Sequence, residues 1–436
     1  MQRNNKISLS ELTNTAWREF SIYNINERAI PSMIDGLKPS QRFILYSAIK
    51  NAKDKFTKIV EIAGPVSSYG YHHGEGAAQD SATYMGAAWR NNTPLLIGDG
   101  NFGTRIIKEA SAARYIYAKL SNHYHDIFAD NDLCPANEDE DIKTPKYYLP
   151  LIPYVLLNGI SGVATGFACN ILPYDAKEVT KLCMNYLSGK NIDNASLTPK
   201  YPQFKGTIEK TCDNSYNLVG TYTLVKNKLT ITEIPYQYDR EEYIQVLDSL
   251  EEKGIVTKYD EDCVDGFKFN VTLAKTFKGD IISTFKLSKS VTENLNVITA
   301  DGNLREYKSP IQLIKDFVDF RLGYVDVRIE KEKSSIREDM DLIKSKIKFI
   351  EYVLDNKIDF KEKSKTQLKD VLLGLKFKES HIDVLLNMNF YHLTTDEIDK
   401  LSDKYLSLND RLEYLKNTTK EVEYGIDLMT LYKKFK

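Results

Sequence analysis

The spacing of hydrophobic residues divides the chain into regions of different secondary structure. Residues 8–125 carry short apolar runs at helical spacing, and "SLSE" at 8–11 predicts a capping box at a helix N-terminus. From about 200 to 300 apolar and polar residues alternate, which predicts strands, and the Asp301-Gly302 pair predicts a hairpin turn. A helical pattern, "DREEYIQVLDSLEEKG", interrupts these strands. The sequence therefore predicts an α+β protein of several domains.

After about residue 311 the hydrophobic period becomes that of a coiled coil. One seam comprises Ile329, Ile336, Met340, Ile343, Ile347, Ile350 and Leu354, and the second comprises Leu401, Tyr405, Leu408, Leu412, Leu415, Thr419, Val422, Ile426 and Met429. A compact helical segment separates the two. This pattern predicts an antiparallel coiled coil with a globular tip, and two core helices of an ordinary bundle are the alternative.

Composition places few limits on function. The chain has 436 residues, with 59 basic against 61 acidic side chains, so any nucleic-acid surface must be a local patch. Five scattered cysteines without a C-x-x-C pair indicate a reduced intracellular protein. The N-terminus has no apolar signal region, and the most apolar stretch, "YYLPLIPYVLL", is too short to cross a bilayer. We expect a cytoplasmic protein.

Two motifs resemble ligand sites without matching them. "GDGNFG" at 98–103 follows a strand-like run, but a dinucleotide site needs a second parallel strand ending in an acidic residue, and "NHYHDIFADND" does not supply one. The His72-His73 pair and the His123/His125 pair lack a cysteine or carboxylate at ligand spacing. We expect a glycine loop at the first motif and no metal bound by this chain alone.

The stretch "SAARYIYAKL" at 111–120 is the strongest candidate for chemistry. Arg114 and Tyr115 follow three small residues, so they form either one packed helical turn or a site with room for a substrate. A phenol has a pKa of about 10, and its phenolate at pH 7 costs roughly 4 kcal/mol. A nucleophilic tyrosine therefore needs nearby cations, and Arg114 could hold a phosphate oxygen beside it.

Five motifs in order along the chain carry a resemblance to a known family. They are "RAIPSMIDGLKPSQR" (28–42), "YHHGE" (71–75), "GNFGTR" (100–105), "AARYIY" (112–117) and "LLNGISGVATGFACNILP" (156–173). Together they resemble the DNA-cleavage subunit of type IIA DNA topoisomerases. The "HHGE" and "RYIY" forms are similar to the eukaryotic and T-even bacteriophage branch of that family.

The resemblance implies a fold and a division into domains. Residues 1–150 would form an N-terminal arm and a winged-helix domain that carries the catalytic tyrosine. Residues 151–310 would form a β-rich tower, and residues 311–436 a long antiparallel coiled coil. A helical dimer gate at about 356–400 would join two copies into a symmetric dimer. That dimer would cut both DNA strands, pass a second duplex and reseal the break, which relaxes supercoils and decatenates DNA.

The resemblance also assigns roles to particular residues. Tyr115 would attack a DNA phosphodiester and become joined to the 5′ end, while Arg114 holds the scissile phosphate. Arg28 and Lys38 would stabilise negative charge on phosphorus, and His73 would hydrogen-bond near the same phosphate. The residues expected to contact DNA outside the reacting phosphate are Arg42, Arg105 and Val163. Val163 stands where relatives usually place an isoleucine that is inserted between base pairs.

The cofactors implied by the resemblance belong to partner subunits. Mg²⁺ would be held mainly by a partner Toprim domain and ATP by a partner ATPase subunit, with neither bound by this chain alone. We also expect no DNA-wrapping domain of the gyrase type, and therefore relaxation without introduction of negative supercoils. Two other interpretations stay open. One is a non-catalytic DNA-organising coiled-coil protein, and the other is a tyrosine recombinase, which would join the 3′ end.

Overall fold

The computed structural model of the protein describes residues 8–358 and 364–435. The chain is mixed α and β, as expected, and divides into two compact units. The first comprises Met1–Arg321 with Asp427–Lys436, and the second comprises Leu322–Ile426. Residues 359–363 of the predicted tip lie outside the described residues. Among the described helices, none is long and apolar enough to cross a membrane.

The first unit begins with a helical arm whose apolar side chains are largely exposed. The arm comprises α1 (Leu9–Leu12), a π-helical turn (Thr13–Trp17), α2 (Arg18–Asn24) and a second π-helical turn (Ile25–Ala29). The Ser8 hydroxyl accepts a hydrogen bond from the Glu11 amide at 3.1 Å, which is the N-cap half of the predicted capping box.

Helices and a small antiparallel sheet follow the arm. They are α3 (Pro39–Asn51), β1 (Thr57–Lys58), α4 (Ile59–Ala63), a 3₁₀ turn (Gly64–Tyr69), α5 (Glu75–Gly86), β2 (Leu96–Asp99), β3 (Tyr117–Leu120) and α6 (Asn122–Ile127). The sheet order is β1-β3-β2, and α3, α4 and α5 contribute Ile44, Ile62 and Ala82 to its core. Because β2 and β3 are antiparallel, "GDGNFG" is not a dinucleotide motif, in agreement with the prediction from the sequence.

A loop region with 3₁₀ turns at Asn131–Leu133 and Tyr154–Leu156 leads to a separate hairpin. The hairpin consists of β4 (Ile160–Val163) and β5 (Ala168–Ile171), which form a two-stranded sheet, and Asn170 of β5 also makes an isolated antiparallel bridge to Asn294. It is followed by α7 (Ala176–Leu187), whose N-terminus is capped by the Asp175 carboxylate.

The region from 207 to 307 is rich in β-structure, as the alternating pattern predicted. Its elements are β6 (Thr207–Cys212), β7 (Ser215–Val219), β8 (Thr221–Val225), β9 (Lys228–Glu233), α8 (Arg240–Glu252), β10 (Val256–Glu261), β11 (Phe269–Leu273), α9 (Ile281–Thr284), β12 (Ser288–Thr292), β13 (Leu295–Ile298) and β14 (Leu304–Tyr307). The sheet orders are β12-β7-β6, β10-β11-β9-β8 and β13-β14. Helix α8 confirms the predicted insertion. The β13–β14 turn confirms the predicted hairpin, with Gly302 at φ +76°.

The second unit is helical within its described residues. The chain enters it along α10 (Pro310–Leu354) and continues through α11 (Lys365–Gly374), α12 (Glu379–Leu386), a 3₁₀ turn (Phe390–His392), α13 (Thr395–Asn417) and the start of α14 (Lys420–Lys434). Ile343 and Ile350 of α10 pack against Leu401 and its neighbours on α13. Lys344 of α10 lies over the Tyr405 ring of α13, and Glu332 of α10 pairs with Arg411 of α13. Residue numbers fall along α10 while those of the partners rise along α13, so the two helices run antiparallel.

The second predicted seam is wrong beyond Leu415. The helix stops at Asn417, and Thr418 is extended, so α14 starts in a new rotational phase. Three predicted seam residues on α14 are consequently exposed: Val422, Ile426 and Met429. The side chains buried in their place are Tyr424, Leu428 and Leu431.

Candidate active site

Tyr115 stands in a turn two residues before β3, not in a helix. Its amide donates to the Ala112 carbonyl oxygen at 2.9 Å, and its side chain is 64% exposed. Ala112 and Arg114 are exposed as well. Of the two interpretations left open by the sequence, this geometry favours a phenol with room for a substrate in front of it.

The Arg114 side chain lies directly against Tyr115. Its guanidinium carbon is 4.6 Å from the centre of the tyrosine ring. Hydrogen bonding to the Arg114 side chain, and then its positive charge, lower the pKa of the Tyr115 phenol below its ordinary value of 10.0. The structure therefore pairs one phenol with the cation that makes its phenolate easier to form.

The loop before Tyr115 is fixed by contacts within its own region. Trp89, three residues after the end of α5, is buried and donates its indole N–H to the Phe102 carbonyl oxygen at 3.0 Å. The Ser111 amide donates to the Asn101 carbonyl oxygen at 2.9 Å. Gly103 has φ +79°, and a side chain there would come within 2.6 Å of the Lys108 carbonyl oxygen. The glycine motif thus serves a tight loop that leads to the candidate nucleophile.

A second group of side chains gathers around His73. The Tyr23 hydroxyl lies 3.2 Å from His73 Nε2, and the Tyr71 ring meets the imidazole edge-on at 5.2 Å between centres. Burial raises the pKa of Tyr71, and the charge of Arg28 opposes that shift, which places Arg28 in the same neighbourhood. The described residues contain no cluster of three or more histidine, cysteine or carboxylate side chains suited to a metal ion.

Lys38 and Arg42 both make internal contacts. Lys38 Nζ donates to the Ser161 carbonyl oxygen on β4 at 2.7 Å, and burial lowers the pKa of Lys38. Arg42 binds Asp35 through two nitrogens, at 2.8 and 3.1 Å. Burial opposes the charge of Arg42, but Asp35 outweighs that effect, so the pKa of Arg42 is raised. Asp35 also accepts the Tyr148 amide, so this ion pair holds a loop in place.

Arg105 is buried, with 4% of its surface exposed, and faces the β-rich region. Its Nη2 lies 3.3 Å from Glu233 Oε1, while the rings of Phe204, Tyr236 and Phe267 surround the guanidinium at 4.6–5.6 Å. Nε and Nη1 have no hydrogen-bond partner among the described residues. This placement favours a role in tethering the loop over the DNA contact expected from the resemblance.

The predicted site residues fall into separate groups within one chain. Arg114 contacts Tyr115, but no hydrogen bond, ion pair or ring contact joins either of them to Arg28, Lys38 or His73 within the described part of the chain. Val163, at the end of β4, is 83% exposed.

Three supporting residues were not predicted from the sequence: Tyr23, Asp35 and Glu233. Asp35 carried a signal, because it is the one acidic residue inside the basic motif at 28–42. Tyr23 and Glu233 carried none, because their partners are 50 and 128 positions away in the sequence.

Comparisons with known proteins support the resemblance. A family profile that describes the A subunits of DNA gyrase and topoisomerase IV matches residues 28–431. The chain is 38% identical to the DNA topoisomerase medium subunit of Enterobacteria phage T4, covering 98% of this chain and 99% of that one. It is 32% identical to DNA topoisomerase 2 of Arabidopsis thaliana, covering 85% of this chain but only 26% of the plant enzyme.

A solved structure leads to the same conclusion. The DNA-binding, cleavage and re-ligation domain of Plasmodium falciparum topoisomerase II superposes with a TM-score of 0.88 at 26% identity. The match covers 98% of this chain and 64% of the other. The chain therefore belongs to the family of DNA gyrase and topoisomerase IV A subunits, which confirms its assignment as a component of a type II DNA topoisomerase.

Proposed function

We propose that this chain is the DNA-cleavage and religation subunit of an ATP-dependent type IIA topoisomerase, with Tyr115 as its nucleophile. One observation carries the assignment of the nucleophile: an exposed phenol whose pKa is lowered by the adjacent Arg114. Membership of the topoisomerase subunit family supports the reaction class. The product of the whole complex would be DNA with changed supercoiling or linkage.

The reaction is a transesterification that balances without an external energy source. Tyr115 Oη bonds to phosphorus, the bond from phosphorus to the 3′ oxygen breaks, and the phenolic proton is exchanged for one on the leaving hydroxyl. The pKa of a phenol, about 10, is well below that of a sugar hydroxyl, so the tyrosyl ester is the easier one to displace. The 3′ hydroxyl can therefore reseal the strand without ATP.

The remaining cations have proposed roles around the same phosphate. Arg114 holds a phosphate oxygen, and Arg28, Lys38 and His73 add positive charge and hydrogen bonds where negative charge develops on phosphorus. Arg42 supports its loop through Asp35 and contributes to the surface that receives the DNA backbone. Val163, exposed at the end of β4, is the proposed wedge between base pairs.

The fold supports a proposed assignment of domains. Helices α3–α5 with the β1-β3-β2 sheet are the winged-helix part of residues 1–150. The sheets of residues 151–310 form the tower. Helices α10 and α13 form the antiparallel coiled coil of residues 311–436, and the helices between them, at about 356–400, form the dimer gate. The antiparallel packing of α10 and α13 supports the coiled-coil assignment.

Partner subunits complete the proposed enzyme. Mg²⁺ and ATP are assigned to partner Toprim and ATPase subunits, and two copies of this chain form a homodimer through the gate. Double-stranded DNA is the substrate, and the proposed location is the cytoplasm of the host. The name of the phage T4 relative, a medium subunit, supports a multi-subunit enzyme.

A cleavage assay with the partner subunits tests this function. Supercoiled plasmid or end-labelled duplex is incubated with the reconstituted complex, with Mg²⁺ or EDTA, and quenched with detergent. We expect protein joined to 5′ ends, only with Mg²⁺ and never with Tyr115→Phe. Protein joined to 3′ ends would indicate a tyrosine recombinase. DNA binding without an adduct would indicate a DNA-organising protein.

A further inference from the structure

The β4–β5 hairpin is anchored at its base and open at its end. Val163 is exposed, but the strands behind it contact two other segments of the first unit. One segment is Ala29–Lys38, which follows the proposed cation Arg28 and ends at the proposed cation Lys38. The other is the link between β12 and β13. The contacts on each side connect the strands behind Val163 to these two segments.

On the first side, Gly162 lies against the backbone. A side-chain carbon at Gly162 would overlap the Ala29 carbonyl oxygen and lie 3.0 Å from Lys38 Nζ, so only glycine allows this approach. Lys38 Nζ donates to the Ser161 carbonyl oxygen at 2.7 Å. The Cys169 thiol donates to the Ala29 carbonyl oxygen at 3.8 Å, and Cys169, Ala29 and Ile30 share one buried cluster.

On the second side, asparagine residues bind the hairpin to the end of β12, the start of β13 and the link between them. The backbones of Asn170 and Asn294 exchange two hydrogen bonds of 2.9 Å. The Asn170 side chain donates to the Thr292 carbonyl oxygen, and the Asn296 side chain donates to the Ala168 carbonyl oxygen at 2.8 Å. Both sides of the hairpin base are therefore held by direct contacts, and on the first side these contacts are with Ala29 and Lys38.

We propose that Lys38 is a positioning residue for the β4–β5 hairpin, and that its bond to Ser161, with the Gly162 contact, couples DNA bending to DNA cleavage. This inference rests on the proposed function. One ammonium proton of Lys38 holds the hairpin while the other two stay available to a phosphate. A duplex that is bent over Val163 therefore presses the hairpin against the segment that carries Arg28 and Lys38. If the DNA cannot bend, Arg28 and Lys38 are not brought to the positions in which they stabilise charge on the phosphate.

The alternative role for Lys38 is a cation that acts on the phosphate alone. The two roles differ in the bend angle, which can be measured without cleavage in a Tyr115→Phe background. Fluorescence energy transfer across an end-labelled duplex reports the bend, and adduct formation by proteins that retain Tyr115 reports cleavage. Lys38→Met keeps the length of the side chain and removes its donors. Gly162→Ala keeps Lys38 and disturbs the close packing of the hairpin against the Ala29 carbonyl oxygen. Lys53→Met removes one charge from an exposed lysine of the same region and is the control.

We expect Lys38→Met and Gly162→Ala each to reduce the bend, and to reduce adduct formation at least tenfold. Lys38→Arg should restore much of the bend, and Lys53→Met should leave it unchanged. A normal bend in Lys38→Met with reduced cleavage would overturn the inference and leave Lys38 as a phosphate ligand only. If Gly162→Ala fails to fold, as judged by its melting temperature, Lys38→Met still decides. If the unsubstituted complex forms no adduct, the proposed function has failed instead.

Discussion

At the scale of single residues, the distinctive feature is a pair of neighbours that share one turn. Arg114 lies over the ring of Tyr115 and lowers the pKa of its phenol, while the preceding small residues leave the hydroxyl accessible. The backbone produces this pairing locally, because a turn at Ala112–Tyr115 brings the two side chains to the same side before β3 begins. This chemistry can be tested through the phenol and through the guanidinium.

The first test concerns which tyrosine reacts. Tyr115→Phe removes one exposed hydroxyl and no packing, so the covalent adduct should disappear while DNA affinity changes by less than about threefold, or roughly 0.6 kcal/mol. Tyr117, two residues later in β3, gives the matched control, and Tyr117→Phe should keep cleavage. An adduct formed by the Tyr115→Phe protein would show that another residue is the nucleophile.

The second test concerns pH. Arg114 lowers the pKa of the Tyr115 phenol, so Arg114→Gln should raise it. Below that pKa the phenolate fraction falls tenfold per pH unit, so the acidic limb of the cleavage rate should move to higher pH in Arg114→Gln. Arg114→Lys keeps the charge and should shift the limb less. Single-turnover cleavage between pH 6 and 11 measures this shift, because the range extends above the ordinary pKa of a phenol and shows where each rate levels off. A uniform loss of rate without a shift would mean that Arg114 acts on the phosphate alone.

At the scale of elements, buried polar groups join segments that are distant in sequence. Arg105, in the loop that leads to Tyr115, meets Glu233 of β9 inside a ring of aromatic side chains. Burial lowers the pKa of Arg105 and raises that of Glu233, so desolvation is the largest influence on both charges. Such a pair tethers two segments but adds little net stability compared with apolar residues of similar size.

Removing one partner of this pair should nevertheless be costly. Arg105→Met leaves Glu233 charged and unpaired in a buried site, so unfolding should become easier by about 3–5 kcal/mol. The control is Arg240→Gln, which breaks a partly exposed pair with Glu261 and should change stability far less. Urea unfolding measures both. If Arg105→Met kept its stability and instead weakened DNA binding with a smaller salt slope, Arg105 would be a DNA contact.

Glu293 gives the base of the hairpin a dependence on pH. Its carboxylate is buried, accepts the Leu172 amide at 3.1 Å and accepts the Tyr174 hydroxyl at 2.7 Å. Burial raises the pKa of Glu293 from 4.5 to about 7. The folded protein therefore holds this proton more tightly than the unfolded chain, and the contribution of Glu293 to stability falls as pH rises from about 4.5 to 7.

The size of this effect can be checked with an uncharged isostere. The shift corresponds to roughly 3 kcal/mol lost above pH 7, so Glu293→Gln should be nearly neutral at pH 5 and stabilising at pH 8. Urea unfolding at the two pH values measures the difference. An equal effect of the substitution at both values would show that Glu293 does not titrate in this range.

Much of this element structure could be predicted from the sequence, where the signal is local. The hairpin at Asp301-Gly302 and helix α8 rest on turn residues and helical period alone, and both are confirmed. The α14 seam was wrong because a break of two residues, Thr418 and Thr419, changes the helical phase without changing the heptad spacing in the sequence. The environment of Arg105 could not be predicted, because Glu233 and the three surrounding rings come together only when the β-rich region folds.

At the scale of the whole molecule, the proposed homodimer places one nucleophile opposite each strand. The family resemblance implies this arrangement, and one chain carries one Tyr115. A two-fold dimer presents the same surface twice, so each tyrosine should cut one of two equivalent strand positions. The exposed position of Tyr115 is compatible with a substrate that arrives from outside the chain.

Mixed dimers test this arrangement. Wild-type and Tyr115→Phe chains carrying different tags can be co-expressed and purified in series, so that each dimer holds one of each. We expect these dimers to nick plasmid DNA without linearising it, while dimers of the wild-type chain linearise it. Linear DNA from the mixed dimer would mean that one tyrosine serves both strands. A mass near that of one 50.0 kDa chain would rule out the dimer itself.

The indole of Trp89, which holds the loop before Tyr115, also makes that loop visible to spectroscopy. The chain has two tryptophans, and the other, Trp17, lies exposed on the N-terminal arm. Buried and exposed indoles emit at different wavelengths, and iodide quenches only the exposed one. With Trp17 quenched, the remaining emission comes from an indole whose N–H is bound to Phe102. Movement of the loop as DNA binds should therefore appear as a red shift in unlabelled protein, on the millisecond scale of a stopped-flow instrument.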